Sequence, residues 1–81
     1  MTIRIDDKAL KDLLKVHKTE VKKILSKIEA LEKFPQVPNL KKLTNFEPPY
    51  RLRVGNYRIL FDVEGDTLTV YRVKHRKESY R

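Results

Sequence analysis

Arginine alternates with apolar residues in residues 50–61, whose sequence is YRLRVGNYRILF. An alternation of period two is typical of a β-strand with one buried face, and a Gly-Asn pair in the middle is a signal for a two-residue turn. The segment therefore predicts a β-hairpin in which Arg53 lies opposite Arg58. Because successive strand residues point to opposite faces, Arg51, Arg53 and Arg58 are expected to share one face.

Arginines placed in this way could bind phosphate. A guanidinium group is planar, stays charged and makes two parallel hydrogen bonds to a phosphate group. Like charges directly across a strand pair repel each other, and an anion between Arg53 and Arg58 would relieve that cost. In the alternative interpretation the arginines pair with Asp62, Glu64 or Glu78, or with surface water.

The net charge supports an anionic partner. Lys and Arg number 19 and Asp and Glu number 11, which gives a net charge of +8 in 81 residues. Such a charge favours a polyanion or an acidic protein as partner. Apart from Arg4, every arginine follows Tyr50, whereas the preceding part carries mainly lysine. The C-terminal part is therefore predicted to hold the anion-binding surface.

The N-terminal part predicts a strand followed by a helix. Residues 2–5 alternate polar and apolar side chains, as expected of an edge strand or a partner strand. Asp6 or Asp7 is predicted to cap a first helix from about Lys8 to Val16. The side chains expected on its buried face are Leu10, Leu13 and Leu14.

A second helix is predicted after Thr19, which is expected to be its N-cap. Phe34-Pro35 ends this helix, because proline cannot continue a helical backbone. Residues 35–49 are bounded by prolines and predict a surface connection that presents Lys41 and Lys42. His17 is expected to be structural or to face solvent. The apolar residues of the second helix at helical spacing are Val21, Ile24, Leu25, Ile28 and Leu31.

The order of elements predicts the fold class. After the hairpin, Gly65-Asp66 forms a second turn into a strand over residues 67–74. We predict an α+β fold with an N-terminal strand, a two-helix hairpin and a three-stranded antiparallel meander. These strands would form one antiparallel sheet with the helices on one face, which leaves the other face free for function. Tyr57 and Tyr71 are expected to pack within the sheet.

Length and composition limit the kind of protein. Residues 1–81 predict a single domain, and a core of this size is thin, which favours stabilisation by a partner. The chain has no cysteine and two histidines, so we expect no disulfide and no metal site. The first residues lack the pattern of a secretion signal and the apolar runs are short, so a soluble, cytoplasmic protein without membrane contact is predicted.

The segment of residues 50–61, together with Val73-Lys74-His75-Arg76 and Tyr80-Arg81, resembles the RelE/ParE toxin superfamily. The resemblance extends over the whole chain, and its specific part is this segment with the His-Arg-x-x-x-Tyr ending. It implies a RelE-like fold and, for the RelE branch, an endoribonuclease without cofactor or metal. The implied reaction cleaves messenger RNA in the decoding A site of the ribosome, by attack of a ribose 2′-hydroxyl on the adjacent phosphate.

The resemblance also implies roles for individual residues. Arg58 is our first candidate for stabilising the charge that develops on the phosphate, and Arg76 is the second. Arg51 and Arg53 stand where active family members often have lysine, and arginine cannot serve as a proton-transfer group. The remaining candidates for proton transfer are His75, Tyr80 and Glu78. Contacts with RNA are expected from Lys41, Lys42, Lys74, Lys77 and Arg81.

The family implies a RelB-like antitoxin that covers the basic face, and binding to the native state would add stability. Two other functions stay open. A ParE-like toxin would inhibit DNA gyrase by protein contact. A catalytically weak relative would only bind nucleic acid, or would act with its antitoxin on operator DNA.

Overall fold

The computed structural model describes residues 1–77. Two helices and a 3₁₀ turn lie between the first and second of five strands. In chain order the elements are β1 (Thr2–Ile5), α1 (Asp7–Leu14), α2 (Lys18–Ala30), the 3₁₀ turn (Leu31–Lys33), β2 (Leu40–Lys42), β3 (Tyr50–Val54), β4 (Tyr57–Glu64) and β5 (Thr67–His75). Within residues 1–77, no helix is both long enough and apolar enough to span a membrane.

The five strands form one sheet in the order β1-β5-β4-β3-β2. The predicted α+β class and the antiparallel meander of β3, β4 and β5 are confirmed. The sheet is mixed, however, because β1 runs parallel to β5. The prediction of a wholly antiparallel sheet was therefore wrong. The helices carry the chain from β1 at one edge of the sheet to β2 at the other edge, so the long connection between the parallel neighbours β1 and β5 contains both helices and the strands β2, β3 and β4.

Strand β2 corrects a second prediction. It lies in residues 35–49, which were predicted to be only a surface connection, and it pairs antiparallel with β3. With three residues, β2 is too short for its own pattern of alternation to reveal it. Its pairing depends on the exposed edge that β3 offers once the hairpin has formed.

Helix α1 begins at one of its two predicted caps, since the Asp6 side chain accepts a hydrogen bond from the backbone N–H of Lys8 at 3.1 Å. It ends at Leu14 rather than at Val16. Ala9 and Leu13 are its buried residues. The prediction that Leu10 and Leu14 are buried was wrong, because they are 46% and 86% exposed. The helix is only eight residues long, and it buries a narrow stripe.

Helix α2 is capped by His17 and not by the predicted Thr19. The His17 Nδ1 atom accepts a hydrogen bond from the backbone N–H of Thr19 at 3.2 Å, so the expected structural role of His17 is confirmed. Ile24, Ile28 and Leu31 are buried as predicted, whereas Leu25 is 37% exposed.

The core lies between the helices and one face of the sheet. Phe61 is fully buried at its centre, and its ring stacks on Tyr50 with 5.3 Å between centroids. Phe34 meets both rings edge to face. This aromatic cluster fixes β3 and β4 against the chain that leaves α2, and thereby sets which face of the hairpin remains open.

Candidate nucleic-acid interface

The arginine hairpin has the predicted register. Arg53 pairs with Arg58 across β3 and β4, and Val54 pairs with Tyr57 beside the turn. Gly55 has a φ of +57°, which favours glycine at the first position of such a turn. Arg51, Arg53 and Arg58 therefore share the face that points away from the helices. The buried side chains of the opposite face are Leu52, Val54, Ile59 and Phe61.

Two cross-strand rows of positive side chains run over this open face. The first row consists of Arg53, Arg58 and Lys74, because Arg58 lies opposite Arg53 on one side and opposite Lys74 on the other. The second row begins with Lys41, which pairs with Arg51. Neighbouring strands lie about 4.8 Å apart, so these cations are close enough to share one phosphate or two adjacent ones.

A depression of about 280 Å³ lies in this part of the face. Its walls are formed by β2, β3 and β4, and both rows contribute to it. The lining residues are Asn39, Leu40, Lys41, Arg51, Arg53 and Arg58. We call this depression, together with Lys74 and Arg76, the cationic site.

Arg76 lies next to the first row. The Arg58 Nη1 atom donates a hydrogen bond to the carbonyl oxygen of Arg76 at 3.3 Å. The backbone N–H of Arg76 in turn donates to the carbonyl oxygen of Asn56 at 2.7 Å. The end of β5 is therefore held against the β3–β4 turn, and this contact brings together the two residues that we regard as the first candidates for charge stabilisation.

Two other residues predicted for the site, His75 and Lys42, lie on the opposite face of the sheet. His75 pairs with Tyr57 on the helix-facing side of the sheet, where the two rings meet edge to face at 5.1 Å. Its Nδ1 atom accepts a hydrogen bond from the backbone N–H of Lys77 at 3.1 Å. Lys42 lies over the Tyr50 ring, with Nζ 5.5 Å from the centroid. His75 and Lys42 therefore face away from the cationic site.

The predicted candidates at the C-terminus are only partly covered by the structure. Lys77 is exposed two residues beyond the end of β5. Glu78, Tyr80 and Arg81 lie outside the described residues, so their predicted roles stay predictions. Within residues 1–77, no three His, Cys, Asp or Glu side chains come together in an arrangement that could hold a metal ion.

A β-bulge in β5 was not visible in the sequence. Leu60 pairs with Arg72 and Phe61 pairs with Val70, which leaves Tyr71 as the additional residue. Tyr71 is 39% exposed, so its predicted packing role was wrong, whereas Tyr57 is half-buried as expected. A bulge shifts the alternation by one residue, so the side chains beyond it exchange faces. The bulge thereby directs Lys74, rather than Val73, to the open face.

The sequence also gave no sign that Asp12 and Arg72 form an ion pair. Arg72 donates two hydrogen bonds to the Asp12 carboxylate, at 2.8 and 2.9 Å, and the backbone N–H of Val73 donates a third at 2.9 Å. Burial raises the pKa of the Asp12 carboxyl. The hydrogen bonds from Arg72 and Val73 and the charges of Arg72 and Lys74 outweigh this effect and hold the pKa below its ordinary value. Asp12 thus fastens α1 to the free edge of β5.

Replacing Asp12 with alanine should destabilise the protein by about 1–3 kcal/mol at pH 7, since the Val73 N–H and the Arg72 guanidinium would lose their acceptor. The folded-state pKa of Asp12 is lowered, so its contribution is present above the unfolded value of about 3.9 and is lost as the pH falls through the folded value. Urea denaturation at several pH values would show a difference between the two proteins that shrinks in acid.

Glu20 provides the matched comparison, because its ion pair with Lys23 has an N–O distance of 3.7 Å and the Lys23 side chain is 66% exposed. Glu20→Ala should cost no more than about 0.5 kcal/mol. Equal costs for Asp12→Ala and Glu20→Ala would contradict the assignment of Asp12 as an anchor.

The chain resembles several known proteins. Residues 3–80 match the family described as ParE toxin of type II toxin-antitoxin system, parDE. Toxin RelE3 from Methanocaldococcus jannaschii is 50% identical over 42 residues, which are 52% of this chain and 48% of that protein. The match thus spans about half the length of this curated relative.

Solved structures extend the likeness to nearly the whole chain. In the RelB-RelE antitoxin-toxin complex from Methanococcus jannaschii, the similar chain is 35% identical with a TM-score of 0.79, and the match covers 93% of this chain and 92% of that one. The toxin-antitoxin complex RelBE2 from Mycobacterium tuberculosis gives 26% identity and a TM-score of 0.78, over 93% and 96% of the two chains.

The family match and the similar solved structures place the protein among the toxins of type II toxin-antitoxin systems. The chain belongs to the RelE/ParE toxin superfamily.

Proposed function

We propose that this protein is a ribosome-dependent endoribonuclease that cleaves messenger RNA in the decoding A site. In the proposed reaction, a ribose 2′-hydroxyl attacks the adjacent phosphate and no metal takes part. RNA supplies its own nucleophile, so the protein has to orient the strand, move protons and stabilise charge.

The observation that carries the proposal is the placement of Arg53 directly opposite Arg58, with Arg76 in contact with Arg58. Two guanidinium groups fixed across a strand pair repel each other unless an anion lies between them. A pentavalent phosphate carries additional negative charge, and charges that are already in position stabilise it without reorganisation. Arg58 is only half-buried, so a strand of RNA could reach it.

We further propose that an antitoxin binds this protein and covers the cationic site. Solved structures of similar chains are described as complexes of RelE with RelB. Two features of this chain suit such a partner: the net charge of +8 and the exposed Leu10 and Leu14 on α1. A partner that binds only the folded toxin would add to the stability of a thin core.

A cleavage assay on translating ribosomes tests the proposed activity. The protein would be incubated with ribosomes that translate a defined message, and cuts would be mapped by primer extension. We expect cuts within codons in the decoding site that require ribosomes and persist in EDTA. Cleavage of free RNA that disappears with EDTA would refute the proposal.

One observation favours a second candidate, since the matching family is described as ParE toxin. A ParE-like protein would inhibit DNA gyrase by protein contact and would need none of the nuclease residues. A gyrase supercoiling assay beside the ribosome assay separates the two functions. Inhibition of supercoiling without RNA cuts would establish the ParE-like function in place of the nuclease.

A further inference from the structure

The proposed cleavage needs a group that can give up a proton. When the bond between phosphorus and the 5′-oxygen breaks, the departing oxygen must gain a proton to leave as a hydroxyl. Arginine cannot supply it, because it keeps its proton in proteins. Arg51, Arg53 and Arg58 therefore bind and stabilise charge but transfer no proton, and His75 lies on the opposite side of the sheet.

Two lysines of the described residues lie among these arginines, Lys41 on β2 and Lys74 on β5. Lys41 lies on the edge strand β2, where it pairs with Arg51 of β3, and it is exposed. Lys74 pairs with Arg58 where β5 extends beyond the end of β1, and it is half-buried. Lys74 therefore lies directly opposite Arg58 in the first row, whereas Lys41 lines the depression from β2 and lies opposite Arg51.

Arg58 and Arg72 repel the Lys74 ammonium group, whereas Asp12 attracts it. Arg58 on β4 lies across the ladder from it, Arg72 precedes it on β5, and Asp12 on α1 is close enough to be influenced by its charge. Asp12 also receives hydrogen bonds from Arg72 and from the backbone of Val73. The anchor of α1 on β5 thus fixes the backbone on which Lys74 stands.

We infer that Lys74 is the general acid of the reaction, with its ammonium group protonating the departing 5′-oxygen. This inference rests on the proposed nuclease function. The bond from the 2′-oxygen to phosphorus forms and the 2′-hydroxyl proton passes to water. The bond from phosphorus to the 5′-oxygen breaks, and that oxygen takes a proton from the Lys74 Nζ atom. The products are a 2′,3′-cyclic phosphate and a 5′-hydroxyl, and the neutral amine regains a proton from solvent.

The position of Lys74 at one end of the first row suits this role. Attacking and leaving oxygens lie roughly opposite each other at phosphorus. With the phosphate held by Arg53 and Arg58, a group displaced by one strand, about 4.8 Å, lies to one side of the phosphorus, where a leaving oxygen could meet it. The bulge at Tyr71 brings the Lys74 side chain to the open face.

The test compares Lys74→Arg with the wild type on two messages. Both messages are short and occupy the A site of programmed ribosomes, and one has sulfur in place of the bridging 5′-oxygen at the scissile position. Lys74→Arg keeps the positive charge but cannot donate the proton. On the ordinary message we expect its single-turnover rate to fall by about 10²–10⁴-fold. A thiolate leaves without protonation, so on the sulfur message the variant should cleave within about tenfold of the wild type.

Lys22→Arg serves as the control, because Lys22 is exposed on α2, which packs on the face of the sheet opposite to the cationic site. It should match the wild type on both messages. An ordinary-message rate for Lys74→Arg within about threefold of the wild type would overturn the assignment, and so would an equal loss on both messages. A wild-type protein that cuts neither message refutes the nuclease itself, which distinguishes that failure from an error about Lys74.

Discussion

The Arg58→Ala variant should lose cleavage of ribosome-bound messenger RNA by about 10²–10³-fold, the usual cost of removing one preorganised donor to a developing oxyanion. Arg58 is the central member of the first row, with Arg53 on one side and Lys74 on the other. Its guanidinium also contacts the backbone of Arg76. The single-turnover rate on programmed ribosomes would measure the effect.

Arg4→Ala is the matched control for this prediction. Arg4 lies on β1, at the far edge of the same face, where it pairs with Thr69. The Arg4→Ala substitution removes the same charge but leaves the cationic site unchanged, so the cleavage rate of this variant should stay within about threefold of the wild-type rate. An Arg58→Ala variant as active as Arg4→Ala would remove the basis for the proposed nuclease centre.

Loss of activity in Arg58→Ala can be distinguished from unfolding. Arg58→Ala relieves the repulsion from Arg53 but also removes the hydrogen bond to the Arg76 carbonyl oxygen, so the free energy of unfolding should change by no more than about 1 kcal/mol. Urea denaturation of the same protein preparations would show this. A large loss of stability would mean that Arg58 has a structural role that the register does not explain.

Phe61→Ala should lower the free energy of unfolding by about 3–5 kcal/mol, since it removes a fully buried aromatic side chain and leaves a cavity. Phe61 stacks on Tyr50 and meets Phe34 edge to face, so three elements lose contacts together. A domain of this length has a total stability of about 4–12 kcal/mol. We therefore expect the variant to be largely unfolded, or close to unfolding, without a partner.

Phe46→Ala is the control, because Phe46 is 42% exposed in the connection between β2 and β3. Its cost should stay below about 1 kcal/mol. Circular dichroism at 25 °C and urea denaturation would compare the two variants. A Phe61→Ala protein that unfolds at the same urea concentration as Phe46→Ala would show that the aromatic cluster does not hold the hairpin.

The open face is electrostatically divided, and this division bears on how RNA could lie on it. The cationic site occupies the half formed by β2, β3, the start of β4 and the end of β5. The other half contains Asp62 and Glu64 near the end of β4, beside a depression of about 340 Å³ that Arg4 also lines. Carboxylates repel a phosphate backbone, so a bound strand should cross the sheet near the β3–β4 turn rather than follow β4 along its length.

The sequence by itself determined the part of the site that depends on local pattern. Alternation and the Gly-Asn turn fixed the register of β3 and β4, and the register placed Arg51, Arg53 and Arg58 on one face. The spacing of Ile24 and Ile28 similarly identified the buried side of α2. These features follow from residues that are close in the chain, because the period of side-chain direction is set by the backbone.

Only the tertiary structure decided the remainder, since it depends on contacts between distant residues. The bulge that directs Lys74 to the open face appears only when β5 is laid against β4. The bond between Asp12 and Arg72 joins residues 60 positions apart. Likewise, β1 and β2 owe their pairing to the strand edges that β5 and β3 present. Backbone periodicity reports the direction of a side chain but not the element that will lie beside it.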